Sequence, residues 1–188
     1  MNPLRTGIIG CGIFVNWGSY DLDFLMSITN WELEPESVLA RSWPVSSSLE
    51  SYVASGSNAE THITAMLACS NGTVINYERA ELACAARETA WNIIGDKGAL
   101  RMQMVPNGNN PALVFDKLTA KGVVSEVILK QDLSFAKQHR RINEDFASAV
   151  REDREPNTNL KRSMILQKVR DSAYKSIAQN KTVYINDK

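Results

Sequence analysis

Between Thr61 and Leu129 the chain reverses direction repeatedly and leaves almost no room for helices, which limits the folds open to it. Thr61–Cys69 alternates with the period of two of a half-buried strand: Ile63, Ala65, Leu67 and Cys69 face one way, His62, Thr64, Met66 and Ala68 the other. Asn71-Gly72 follows, a dipeptide that accepts the positive φ angles of a type I′ hairpin turn. Thr73–Ala83 pairs back across it. Ala90–Ile94 leads through the turn Gly95-Asp96-Lys97-Gly98 into Ala99–Met102. After a polar turn at Asn107–Asn110 come two short strands, Leu113–Lys117 and Val123–Leu129, around Lys121-Gly122. Links this short join antiparallel neighbours, because a parallel crossover needs a dozen or more residues.

Helical patterns flank this run. Phe14–Ser27 carries Val15, Leu22, Leu25 and Met26 on an apolar stripe, with Asn16, Ser19, Tyr20 and Asp23 between them. Gly18 inside it costs about 1 kcal/mol relative to Ala and permits close approach of a ligand or another backbone. Pro35 introduces a strand over Ser37–Trp43, and the Ser-rich Ser46–Asn58 reads as a loop. Phe135–Arg151 is a predicted helix with Phe146, Ala147 and Val150 on its apolar side. Asn157-Thr158-Asn159 supplies caps for a second, Leu160–Gln179, in which Leu166, Val169, Ala173 and Ile177 recur at helical spacing. Thr182–Ile185 is a closing strand. The expected class is α+β: a largely antiparallel open sheet with helices on one face. If the other face is as apolar as the strands suggest, a second domain or subunit must cover it.

Composition excludes several functions. Lys+Arg and Asp+Glu both number 21, so the formal net charge is zero and nothing favours nucleic acid or an anionic membrane as a partner. No apolar run is long enough to span a bilayer, and the N-terminus lacks the order of a signal peptide. Cys11, Cys69 and Cys84 are odd in number and lack C-x-x-C spacing, which argues against a disulfide framework and a zinc site and for a reducing cytoplasm. His62 and His139 lie too far apart in sequence to suggest a metal or triad constellation.

The first residues pose a separate problem. Leu4-Arg5-Thr6-Gly7-Ile8-Ile9-Gly10-Cys11-Gly12 resembles the first strand and turn of a dinucleotide-binding fold. Gly10 and Gly12 fill two positions of G-x-G-x-x-G, but the third falls on Val15, whose branched side chain crowds the helix–strand contact. No βαβ alternation follows, and no acidic residue ends a second strand about 20 residues on to take a ribose hydroxyl. Gly10 and Gly12 are therefore candidate cofactor-binding residues of a remnant, expected to be non-functional by itself.

From Gly12 to Ile185 the chain resembles the C-terminal domain of the glucose–fructose oxidoreductase/inositol dehydrogenase/MocA family of NAD(P)-dependent sugar and polyol dehydrogenases. Gly12, Asn16, Gly18, Tyr20 and Asp23 match the spacing of the family's G-G-x-x-x-D-x-G-x-H-x-x-D segment, with Asn for the first Asp and Tyr for the His. Ile94–Leu100 resembles its G-x-x-G turn, and Asp145–Pro156 with Leu160–Ser176 its closing helices. The resemblance implies a division into residues 1–12, a remnant of a Rossmann strand and turn, and 13–188, a substrate-binding and oligomerisation domain. It implies Asn16, Tyr20 and Asp23 as substrate-binding residues, Tyr20 as the catalytic group, a sugar or polyol as ligand and NAD or NADP as the parent family's cofactor.

The same resemblance implies what is missing. The family's E-K-P lysine is not found in this sequence. Dehydrogenation needs a group to take the hydroxyl proton as hydride leaves. A tyrosine, with an ordinary pKa of about 10, does so only beside a positive charge that stabilises its phenolate. The chain alone is thus expected to bind no nicotinamide cofactor and to be inactive in isolation. The alternative is a non-catalytic binding or dimerisation module, homo-oligomeric through its sheet face. Asn16, Tyr20 and Asp23 themselves admit two readings: the solvated side of an amphipathic helix, or a wall facing substrate.

Overall fold

The structure is a computed structural model and describes residues 12–84, 90–102, 113–130 and 135–185. The predicted strand before Gly12, with Gly10, and the turn at Asn107–Asn110 lie outside the described residues. A wide π turn, Phe14–Gly18, runs directly into α1 (Ser19–Ile28). Then come β1 (Pro35–Trp43), a 3-10 turn at Ser47–Tyr52, β2 (His62–Cys69), β3 (Val74–Ala80), β4 (Asn92–Gly95) and β5 (Gly98–Met102). The chain continues through β6 (Leu113–Thr119), β7 (Gly122–Leu129), α2 (Phe135–Glu152), α3 (Leu160–Gln179) and β8 (Val183–Tyr184). The class is α+β and the described strand pairs are antiparallel, as the hairpin signals require. The strands do not form one continuous sheet. They form two four-stranded sheets, β3-β2-β1-β8 and β4-β5-β6-β7. No tight hairpin signal separates β3 from β4. Two compact units result: Met1–Ala85 with Leu160–Lys188, and Ala86–Asn159.

The first unit holds the larger core. Gly72, at φ +80°, closes the β2–β3 hairpin at the predicted Asn-Gly turn. Ile63, Ala65, Leu67 and Cys69 are all buried, as their alternation predicts. They pack with Phe14, Leu22, Met26, Val38 and Ala40, and with Leu166, Val169 and Ala173 of α3. Each fully buried large side chain contributes roughly 1.5–3 kcal/mol. A polar joint fixes α3 on β1. The buried Ser176 hydroxyl accepts from the Ala40 N–H at 2.9 Å and donates to the Lys181 carbonyl at 2.6 Å.

The second unit is a four-strand meander followed by α2. Val114 and Ala149 are buried there. Phe146 and Val150, which helical spacing places on the apolar side of α2, are exposed. Periodicity shows which side chains share a stripe; it does not show whether anything covers them. Beyond α2 the chain is locked by Asp145, whose carboxylate accepts from the Asn157 N–H at 2.8 Å and from Arg154 Nη2 at 3.0 Å. The Asn157 amide, and then Arg154, hold that carboxyl below the ordinary carboxylate range.

Candidate substrate-facing wall

The π turn and α1 form one continuous helical stretch, and its two sides differ in chemistry. Asn16 and Tyr20 lie one turn apart and are exposed, Tyr20 to 61%. Asp23, a further turn on, is half-buried. Burial pushes its carboxyl above the usual carboxylate range, and Arg162 of α3 opposes that shift. The Arg162 guanidinium lies 5.1 Å from the centre of the Trp31 ring. The three predicted substrate residues thus separate into an exposed pair and a third residue in the electrostatic field of α3.

The helix is held from behind by residues that sequence reasoning did not single out. Asp21 is only 3% exposed. Arg79 Nη1 donates to both of its oxygens, at 3.3 and 3.0 Å, and the Tyr77 hydroxyl donates to Oδ2 at 3.0 Å. Burial raises the Asp21 carboxyl despite both partners, and burial beside Asp21 drives the Tyr77 phenol far above its ordinary range. Arg79 also lies 4.2 Å over the Trp17 ring, and Trp17 meets Tyr20 edge-on, their ring centres 6.2 Å apart. Behind them Phe14 packs against Tyr77 and Tyr174 at 5.1 and 6.4 Å. A signal for this cluster exists in the sequence. Tyr77 and Arg79 alternate with Asn76 and Glu78, and they pair with Ala65 and Ile63 on the buried face of β2. The period that predicts Ile75 inside therefore puts Arg79 inside too, opposite an acidic residue on the helix.

The π turn has its own supports. Wide turns of this kind recur at functional sites. Arg170 of α3 donates to the Ser19 hydroxyl at 2.6 Å and to the Val15 carbonyl at 3.4 Å, and pairs with Gln167. Ser19 donates to the same carbonyl at 2.6 Å. Gly18 does permit a close approach, but by the chain itself: a Cβ there would stand 2.4 Å from the Phe14 ring.

The described residues around Gly12 do not by themselves offer a nucleotide phosphate a seat. A pyrophosphate at a helix N-terminus needs open backbone amides. Here the Ile13 N–H donates to the Glu60 carbonyl at 3.1 Å and the Phe14 N–H to Glu60 Oε1 at 3.0 Å. The Tyr174 hydroxyl fixes the same carboxylate at 2.8 Å. Glu60 Oε2 lies 1.6 Å from where a Gly12 Cβ would be, so Gly12 makes room for this carboxylate. A second anion would meet its charge.

Among the described residues no cluster of His, Cys, Asp and Glu is arranged to hold a metal ion, and no helix is long and apolar enough to cross a membrane.

The fold has many solved counterparts. An oxidoreductase domain protein from Kribbella flavida matches 95% of this chain over 52% of its own, at 17% identity and TM-score 0.74. An oxidoreductase from Agrobacterium radiobacter, solved with NAD+, L-tartaric acid and magnesium, matches 92% of this chain over 49% of its own, at 18% identity and TM-score 0.67. A scyllo-inositol dehydrogenase from Lactobacillus casei, solved with NAD(H) and scyllo-inositol, matches 94% over 49%, at 15% identity and TM-score 0.63. The chain spans about half the length of these structures. A search of the curated proteins finds no match. The family model for the oxidoreductase family C-terminal alpha/beta domain matches residues 6–185, and the chain belongs to that family, the C-terminal domain of the glucose–fructose oxidoreductase/inositol dehydrogenase/MocA proteins.

Proposed function

We propose that this domain supplies the substrate-facing wall and an oligomerisation surface to an NAD(P)-dependent sugar or polyol oxidoreductase. The observation that carries the reading is the exposed Asn16–Tyr20 pair on a helix anchored by a buried ion pair. An amide and a phenol one turn apart offer donors and acceptors to adjacent hydroxyls of a polyol. Tyr20 is the group on this wall that could exchange a proton with a substrate hydroxyl, and Asp23 would border the same ligand. NAD or NADP would be held by a nucleotide-binding domain, in the same polypeptide or in another. The carboxylate of Glu60 at Gly12 supports this division of labour. It also favours the second reading, a non-catalytic binding or dimerisation module, for the chain by itself.

Self-association would use the second sheet. Strand pairing puts Ile94, Asp116, Leu118, Val123, Ser125 and Val127 on one side of it. Ile94 and Leu118 are about four-fifths exposed and Val123 is 70% exposed, and they border the Arg101–Asp116–Ser125 cluster on the same side. We place the protein in the cytoplasm, in keeping with its cysteine usage.

Calorimetry with myo-inositol tests the wall. The expected result is saturable binding by the chain, weakened about tenfold by Tyr20→Phe, the loss of one good hydrogen bond. An unchanged affinity would remove Tyr20 from the site. Titration with NAD(H) should give no binding to this chain alone; micromolar binding would overturn the division of labour. Sedimentation should show a dimer that Leu118→Glu dissociates.

A further inference from the structure

Behind the wall lie Asp21, Tyr77 and Arg79. Arg79 occupies an unusual position among them. It comes from β3, yet its guanidinium is shared between two residues of the helical stretch, the Asp21 carboxylate and the Trp17 ring. Asp21, itself held by the Tyr77 hydroxyl, fixes one end of it. The guanidinium's central carbon lies 4.2 Å over the Trp17 ring, and Trp17 in turn abuts Tyr20. The chain of contact runs Tyr77, Asp21, Arg79, Trp17, Tyr20, from the core to the most exposed ring on the wall.

A long aromatic side chain on an exposed helix face would ordinarily sample several rotamers. Trp17 is half-buried and touched on its face by a charge that is itself immobilised, so its rotamer is restricted. A planar guanidinium stacks on an indole; a lysine ammonium supplies the same charge without the plate.

We propose that Arg79 is a positioning residue for Tyr20: clamped by Asp21, it holds Trp17 flat, and Trp17 sets the direction of the Tyr20 ring. This rests on Tyr20 facing the substrate, but the arrangement itself can be tested without a substrate.

The variant is Arg79→Lys, which keeps the charge opposite Asp21 and removes the flat stack. Thermal unfolding reports whether it remains folded, and Trp17→Phe serves as a second route to the same loss. The direct readout is nitration of Tyr20 by tetranitromethane, followed by peptide mass spectrometry, with the exposed Tyr52 of the same chain as internal standard. The expected result is a change of threefold or more in the Tyr20/Tyr52 ratio in both variants, with loss of tryptophan near-ultraviolet dichroism. An unchanged ratio in folded Arg79→Lys would overturn the proposal. So would a change in Arg79→Lys that Trp17→Phe does not reproduce, because the effect must pass through Trp17. In parallel, myo-inositol affinity should fall about tenfold in both variants. If the parent chain binds no myo-inositol, the substrate-facing reading fails while the nitration ratio still decides this one.

Discussion

Asp21 in the first unit and Asp116 in the second each accept hydrogen bonds from an arginine, yet their carboxyl groups shift in opposite directions. Asp21 takes both bonds from one nitrogen of Arg79 and is buried; its carboxyl is raised because the cost of losing water exceeds what Arg79 and Tyr77 return. Asp116 is gripped in fork geometry by Arg101, Nε at 2.6 Å and Nη2 at 2.9 Å, with the Ser125 hydroxyl donating at 2.6 Å. Its carboxyl falls to about 2, first through the bond from Arg101 and then through that from Ser125. The same pair of residue types therefore serves two purposes. In the first unit it joins a helix to a sheet inside the core. In the second it keeps a charge ionised on an open sheet face.

The largest test of this contrast is removal of the acidic partner. Asp21→Ala leaves a partly buried Arg79 uncompensated and should cost about 3–5 kcal/mol in urea unfolding, the range for breaking a buried pair. Asp116→Ala should cost clearly less, and equal losses would break the comparison. Next comes Gly18→Ala. It forces a methyl into the Phe14 ring at the first unit's centre and should cost roughly 1–3 kcal/mol by overpacking.

The pH response sharpens the comparison through its sign. Asp21 has a folded pKa above its free value of 3.8, so the native state binds the extra proton. Its contribution is greatest at low pH and is lost as pH rises through the raised pKa. Asp116 behaves oppositely: its contribution is complete above the free value of 3.8 and is lost as pH falls towards about 2. Stability curves for Asp21→Asn and Asp116→Asn should therefore flatten different limbs. The smallest expected effect is Leu118→Ser measured at concentrations too dilute for the proposed dimer, where it should change folding stability by no more than about 0.5 kcal/mol because the side chain is four-fifths exposed in the single chain. A large loss would show that the second sheet's open face is covered in the folded protein.

Some of this was legible in the chain. The alternation of Ile63, Ala65, Leu67 and Cys69 predicts the buried face of β2, and Asn71-Gly72 predicts its hairpin. The spacing of Asn16 and Tyr20 puts both on one side of a helix, and both are exposed. The anchoring cluster was harder to see because Asp21 and Arg79 are 58 residues apart. Their polar types also suggest a surface until the inner face of β3 is known. Gly12 and Gly18 read as places for a ligand to approach. Their neighbours turn out to be Glu60 and Phe14, which only packing could supply.

Sequence alone determined the antiparallel α+β class, the order of the elements and which side chains share a face, because periodicity and turn chemistry act over a few residues. Tertiary structure decided how the strands divide into two sheets, which of two aspartates two residues apart is buried, and what fills the space at each glycine. Those outcomes depend on the loss of water between residues distant in the chain, and local pattern carries no record of that.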